Sequence, residues 1–259
     1  MSQSPLLSVQ HVGVTYGEAR AVFDVTLEVP DGGTVAVLGP NGAGKSSLAG
    51  AIAGVVRPAA GRITFDGRDI TGWSPHRVSR LGVAYVPEER GIFPHLSVLD
   101  NVRAQLRYVV PRRERKAAIE RALELFPVLA QRRHQPAGTL SGGEQQMLGL
   151  ARVLAAPPRF LIADEMSVGL APKLVDLVFE SLARARAEGV TMLLVEQYVD
   201  RALQFADDAV ILRRGEVVWR GPAASAGAET LAGYLGDPGV GEARETPASC
   251  RKRSRRANF

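Results

Sequence analysis

The stretch GPNGAGKSS at positions 39–47 lies between a short apolar run at 34–38 and a helix-forming run at 46–53. It fits the template G-x-x-x-x-G-K-[ST], in which a strand feeds a glycine-rich turn and the turn opens a helix, so that backbone N–H groups and one lysine surround the phosphates of a nucleotide. Gly39, Gly42 and Gly44 let the backbone approach a pyrophosphate more closely than a side chain would permit. With Pro40, Asn41, Ala43 and Ser47 they form the expected nucleotide-binding loop, in which Lys45 reaches the β and γ phosphates and the Ser46 hydroxyl ligates Mg²⁺. A second stretch, LSGGEQQ at 140–146, sets Ser141, Gly142 and Gly143 at the start of a helix, where free N–H groups suit an anion.

The pattern elsewhere is that of an α/β chain. Leu7, Val9, Val12 and Val14 predict one strand, and Val25, Leu27 and Val29 alternate as a half-buried strand does. Further strands are expected at 63–65, 83–86, 160–163, 192–195, 209–212 and 217–219. Several are wholly apolar, as parallel strands covered on both faces are. Between 97 and 155 the spacing becomes helical. Val98, Val102, Leu106 and Val109 form one stripe behind a Ser97–Asp100 capping box, and Ile119, Ala122, Leu123 and Phe126 form a second that ends at Pro127.

FLIADE at 160–165 is an apolar strand ending in two carboxylates. Asp164 is placed to hold the metal through water, and Glu165 to orient or deprotonate a water for in-line displacement at the γ phosphate. Taken together, GPNGAGKSS, LSGGEQQ and FLIADE resemble the motifs of an ATP-binding cassette (ABC) ATPase over about residues 6–235. The resemblance implies a phosphate-loop NTPase with a parallel core sheet, an N-terminal antiparallel β subdomain and an inserted helical subdomain at about 92–156. It also implies a head-to-tail dimer in which Ser141, Gly142 and Gly143 of one cassette cap the ATP held by residues 39–47 of the other. Tyr16 matches the aromatic residue on which adenine stacks in the family; a strand-edge tyrosine is the other reading.

The chain departs from the family's common pattern at four positions. Glu88, in YVPEERGIFPHLSVLDN, stands where a metal-contacting glutamine is usual, and Gln197, in LLVEQY, where a histidine usually contacts the γ phosphate. Met166 and Ala171 replace a proline and an aspartate. An amide can hydrogen-bond a phosphate but takes up no proton near neutral pH. Either these substitutions weaken hydrolysis or they mark a lineage. Glu88 in its PE-x-R-x-x-FP-x-L-x-V context, GLAP at 169–172 and VEQ at 195–197 resemble the smaller ATP-binding subunit of branched-chain amino acid importers, which favours lineage.

That resemblance implies integral membrane permeases, a second ABC ATPase, an extracytoplasmic solute-binding protein, and a peripheral position on the cytoplasmic face of the membrane. By resemblance, residues 92–96 border the groove that receives a permease helix. Amides, urea or another solute are alternatives, as is a soluble ABC ATPase acting on nucleic acid or ribosomes, or a nucleotide-responsive scaffold. Composition bears on these. The net charge of +5 equals the contribution of Arg251, Lys252, Arg253, Arg255 and Arg256, so the body of the chain has no surplus for a nucleic-acid face. Residues 236–259 read as a disordered basic tail, either dispensable or holding weakly to anionic lipid. Cys250, the one cysteine, excludes an internal disulfide. The apolar runs are far shorter than the roughly 18 residues a membrane span needs, and MSQSPLLSVQ has no signal-peptide pattern.

Overall fold

A computed structural model describes residues 4–88, 91–107 and 109–227. Strands β1 (Leu7–Tyr16) and β2 (Ala19–Val29) form an antiparallel hairpin, and their alternating valines and leucines turn into the core. β3 (Thr34–Leu38) leads into the glycine turn and α1 (Lys45–Ile52). β4 (Ala60–Phe65) and β5 (Arg68–Asp69) then complete a four-stranded antiparallel sheet in the order β2-β1-β4-β5. Short α2 (Pro75–Ser79) precedes β6 (Val83–Val86).

A helical layer follows: α3 (Val98–Leu106), α4 (Arg115–Leu125), α5 (Pro127–Gln131) and α6 (Gly142–Ala155). The chain then returns to the core through β7 (Phe160–Asp164), α7 (Pro172–Ala187), β8 (Thr191–Glu196), α8 (Val199–Phe205), β9 (Asp208–Arg213) and β10 (Glu216–Pro222). The second sheet has the order β10-β9-β3-β8-β7-β6, parallel throughout except for β10. Every residue of β3, β7 and β8 is buried. This is what all-apolar strands between two covering layers require. On one face, α1 and the antiparallel sheet pack against Val35, Val37, Phe160 and Ile162; on the other, α3, α4, α6 and α7 pack against Leu161, Ala163, Met192 and Leu194.

The strands read from the sequence fall within observed ones, and α3 to α6 lie between residues 98 and 155; two details differ. Val109 is 56% exposed and lies beyond the end of α3, so it leaves the buried stripe of Val98, Val102 and Leu106. Pro127 closes α4 as expected but also opens α5, because proline's fixed φ suits a first helical position. Ser97 caps α3, its hydroxyl accepting from the Asp100 amide. Among the described residues no helix is long and apolar enough to cross a membrane. The boundary at 235, Cys250 and the basic tail lie outside the described residues.

Two buried polar side chains hold loops to this frame. Asn101 in α3 is fully buried; its Oδ1 accepts from the Phe93 amide at 2.7 Å, and its Nδ2 donates toward the carbonyls of Phe93, Leu96 and Ser97. The loop before α3 is thereby fixed with Phe93 and Leu96 exposed. Glu196, at the end of β8, is 2% exposed and accepts a hydrogen bond from the equally buried Ser167 hydroxyl. Burial pushes the Glu196 carboxyl up to about 7 against the hydrogen bonds that oppose it.

In the unfolded chain Glu196 ionises near 4.5, so between about 4.5 and 7 the native state holds a proton that the unfolded state has released. Stability therefore falls as pH rises through that window, by roughly 3 kcal/mol for this group. Glu196→Gln keeps a hydrogen-bonding partner for Ser167 without the charge. Unfolding curves measured from pH 4.5 to 8 are expected to show a shallower decline for this variant than for the unsubstituted chain.

Candidate functional site

Parallel register brings three strand ends to one level. Leu38 pairs with Glu196 and Val195 with Asp164, so the glycine turn after β3, Gln197 after β8 and the Asp164–Glu165 pair at the end of β7 leave the same edge of the sheet together. Ligands bind at this carboxyl edge in open parallel sheets.

The loop from Gly39 to Gly44 is shaped from behind by protein as well as opened toward a ligand. A side-chain carbon at Gly39 would lie 2.2 Å from the Leu212 carbonyl of β9, and one at Gly44 would lie 2.4 Å from the Ala21 carbonyl of β2. Gly44 also adopts a φ of 97° as it starts α1, whereas a Cβ at Gly42 (φ 77°) would meet open space. The sequence reading assigned these glycines to close approach of a pyrophosphate. For Gly39 and Gly44 the neighbouring strands already impose the requirement.

The charged side chains are paired across this loop. Lys45, buried in the first turn of α1, lies 2.9 Å from Glu165 Oε1 and donates to the carbonyls of Gly39 and Pro40 at 3.0 and 3.3 Å. Glu165 is 8% exposed and has a φ of 48°. A glutamate held in the left-handed region is backbone strain of the kind that clusters at working sites. The Ser46 hydroxyl donates to Asp164 Oδ1 at 3.0 Å, and the Tyr85 hydroxyl donates to Asp164 Oδ2 at 2.9 Å. Burial raises the pKa of Asp164, while the bonds from Tyr85 and Ser46 oppose the rise. Burial and the neighbouring Asp164 carboxylate push the Tyr85 phenol up, so it stays a donor.

Asn41, Gly42, Gly44, Lys45, Ser46, Ser47, Glu88, Glu165 and Gln197 face one open cavity of about 470 Å³. Gln197 Nε2 donates to Asn41 Oδ1 across it. Oxygen donors from Ser46 and Asp164 within 3.0 Å of each other suit a hard cation such as Mg²⁺. Among the described residues no three His, Cys, Asp or Glu side chains are grouped to hold a metal ion. Glu88 is exposed at the rim of the same cavity.

Tyr16 stands 52% exposed beside the loop, its hydroxyl donating to Ser47 at 3.3 Å. Ser141, Gly142 and Gly143 do not line the cavity. Ser141 caps α6 in a full capping box with Glu144, which occupies the amides of those two residues and leaves the glycine amides between them. Gly143 is buried, and a Cβ there would sit 2.1 Å from Leu174 Cδ1. Residues 92–96 do not line the large groove between the helical layer and the core; that groove is lined by Val55, His76, Tyr85, Val109, Glu114 and Arg159, among others. Sequence reasoning passed over Tyr85 and the Ser167–Glu196 pair. No signal in the sequence pointed to Tyr85: its place opposite Ile162, two residues before Asp164 on the same sheet face, follows from the parallel register of β6 and β7.

Comparison with known proteins shows the family. The profile of the ABC transporter family matches residues 22–168. The chain is 40% identical over 213 residues to the high-affinity branched-chain amino acid transport ATP-binding protein BraG of Pseudomonas aeruginosa, covering 82% of this chain and 91% of that one. It is 37% identical over 219 residues to the probable branched-chain amino acid transport ATP-binding protein LivF of Archaeoglobus fulgidus, covering 84% and 92%. Among solved structures, an ATP-binding subunit of an ABC transporter superposes with a TM-score of 0.75 at 28% identity, over 84% of this chain and 90% of that one. With the glycine loop, the strand-end carboxylates and the inserted helical layer in place, the chain belongs to the ABC transporter family and is one of its ATP-binding cassettes.

Proposed function

We propose that the chain is the ATP-hydrolysing subunit of an importer for branched-chain or related amino acids, working at the cytoplasmic face of the membrane with permeases, a second cassette and a solute-binding protein. The observation that carries the hydrolytic reading is the convergence of Lys45, Ser46, Asp164, Glu165 and Gln197 at one sheet edge. The solute reading rests on the likeness to BraG and LivF, because solute selection belongs to the other chains.

In this reading Tyr16 stacks on adenine, and the loop of Gly39, Pro40, Asn41, Gly42, Ala43, Gly44, Lys45, Ser46 and Ser47 holds the phosphates. Phosphate oxygens compete with Glu165 for the Lys45 ammonium, which frees the carboxylate to face water. Water attacks the γ phosphorus in line, the bond from that phosphorus to the β–γ bridging oxygen breaks, and the water proton passes to Glu165. Ser46, Asp164 and, from the rim, Glu88 would hold Mg²⁺, which would supply neutralisation of phosphate charge. Gln197 hydrogen-bonds the γ phosphate through its amide. Ser141, Gly142 and Gly143 of a second cassette close the site from the far side, which accounts for their position outside the cavity of their own chain. Phe93 and Leu96, exposed in the loop before α3, suit contact with a permease helix.

Three outcomes test the reading. Glu165→Gln is expected to lower turnover by at least about 100-fold while ATP binding persists, read from phosphate release and calorimetric titration; a variant that hydrolyses ATP normally removes Glu165 from the chemistry. Ser141→Arg is expected to leave ATP affinity of the single chain within about twofold but to abolish ATP-driven dimerisation and turnover, seen by light scattering and phosphate release. In a complex reconstituted with its permeases, leucine, isoleucine or valine delivered by the binding protein is expected to stimulate hydrolysis; intact hydrolysis that none of them stimulates assigns the chain another solute.

A further inference from the structure

The pairing of β6 with β7 fixes the side chains that share a face with the metal-binding carboxylate. Tyr85 lies directly opposite Ile162, so the next residue on that face of β7 is Asp164. Such a diagonal neighbour lies within reach of an aromatic side chain, and the phenol spans the gap to Oδ2 at 2.9 Å. The other oxygen, Oδ1, faces the Ser46 hydroxyl at 3.0 Å. The two oxygens of Asp164 thus have separate partners: one is tied to a strand of the sheet, the other to the nucleotide loop.

We propose that Tyr85 is a positioning residue that holds the Asp164 carboxylate with Oδ1 turned toward Ser46 and the Mg²⁺ of a bound nucleotide. The proposal rests on the reading that Asp164 and Ser46 hold this ion. Tyr85 itself is not among the residues that line the nucleotide cavity. Its hydroxyl occupies Oδ2, so rotation of the carboxylate about its Cβ–Cγ bond would break a hydrogen bond that Ser46 cannot replace. Were the Ser46 oxygen to turn to a metal, the Tyr85 hydroxyl would still hold the carboxylate through Oδ2. Partners of a metal-binding carboxylate that act at one remove commonly change metal affinity by 10- to 100-fold when removed. A purely structural tyrosine would affect folding and nucleotide binding with and without metal alike.

The test is nucleotide binding to the full chain, measured calorimetrically for ADP and ATP in excess Mg²⁺ and again in EDTA, together with direct Mn²⁺ binding by electron paramagnetic resonance. Tyr85→Phe keeps the ring and deletes only the hydroxyl. It is expected to weaken nucleotide binding in Mg²⁺, and Mn²⁺ binding to the nucleotide-loaded chain, by about tenfold, with affinity in EDTA changed less than twofold. Tyr85→Leu, which also removes the ring, is expected to show the same metal-specific loss beside a lower melting temperature. Equal losses in Mg²⁺ and EDTA, or no loss in either, overturn the proposal and leave the site's assignment standing. Failure of Mg²⁺ to tighten nucleotide binding to the unsubstituted chain overturns both the metal assignment and the role of Tyr85.

Discussion

The parallel pairing of β3, β8 and β7 decides where the glycine loop, Gln197 and the paired carboxylates of this cassette are found. Because those strands are fully buried, none can slip in register without driving a side chain through a packed layer. The glycine turn, Gln197 and the two carboxylates therefore emerge at one edge as a consequence of core packing. Residues far apart in sequence come within hydrogen-bonding distance: Ser46 with Asp164, Asn41 with Gln197, Tyr85 with Asp164. The antiparallel sheet and the helical layer supply the apolar surface that holds these strands in place.

Charge is buried at this edge, and each charge has an answering group. A carboxylate removed from water is destabilised by several kcal/mol unless it is paired or hydrogen-bonded. Glu165 meets the Lys45 ammonium, Asp164 takes two hydroxyl donors, and Glu196 takes the Ser167 hydroxyl while its proton is held more tightly. The Lys45–Glu165 pair joins the group proposed to grip phosphate to the group proposed to activate water. An incoming triphosphate acts on both at once, since whatever draws the ammonium away changes what the carboxylate faces.

Much of this was legible in the chain because the motifs are local. GPNGAGKSS and FLIADE carry their own strand and turn, and the wholly apolar strands announced a sheet covered on both sides. Ser141 with the two glycines after it read as a helix start, and the structure places one there, closed by a capping box with Glu144. What stayed hidden depends on register between distant strands. Nothing near Tyr85 reveals that its hydroxyl ends at Asp164, and nothing near Ser167 points to Glu196, 29 residues further on. The misread Val109 has a similar origin: a helical stripe continues in the letters after the helix itself has ended. The glycines were read for a ligand, and two of them prove to be required also by the carbonyls of Leu212 and Ala21.

Those two carbonyls give the nucleotide loop a mould. One belongs to β9 of the mixed sheet and the other to β2 of the antiparallel sheet, so both sheets press on the same half-turn of backbone. A receptor cast this way is stiff before its guest arrives, and binding need not spend ordering entropy on the loop. Alanine at either position would displace a strand, and the injury would spread into the body of the protein instead of stopping at the phosphates.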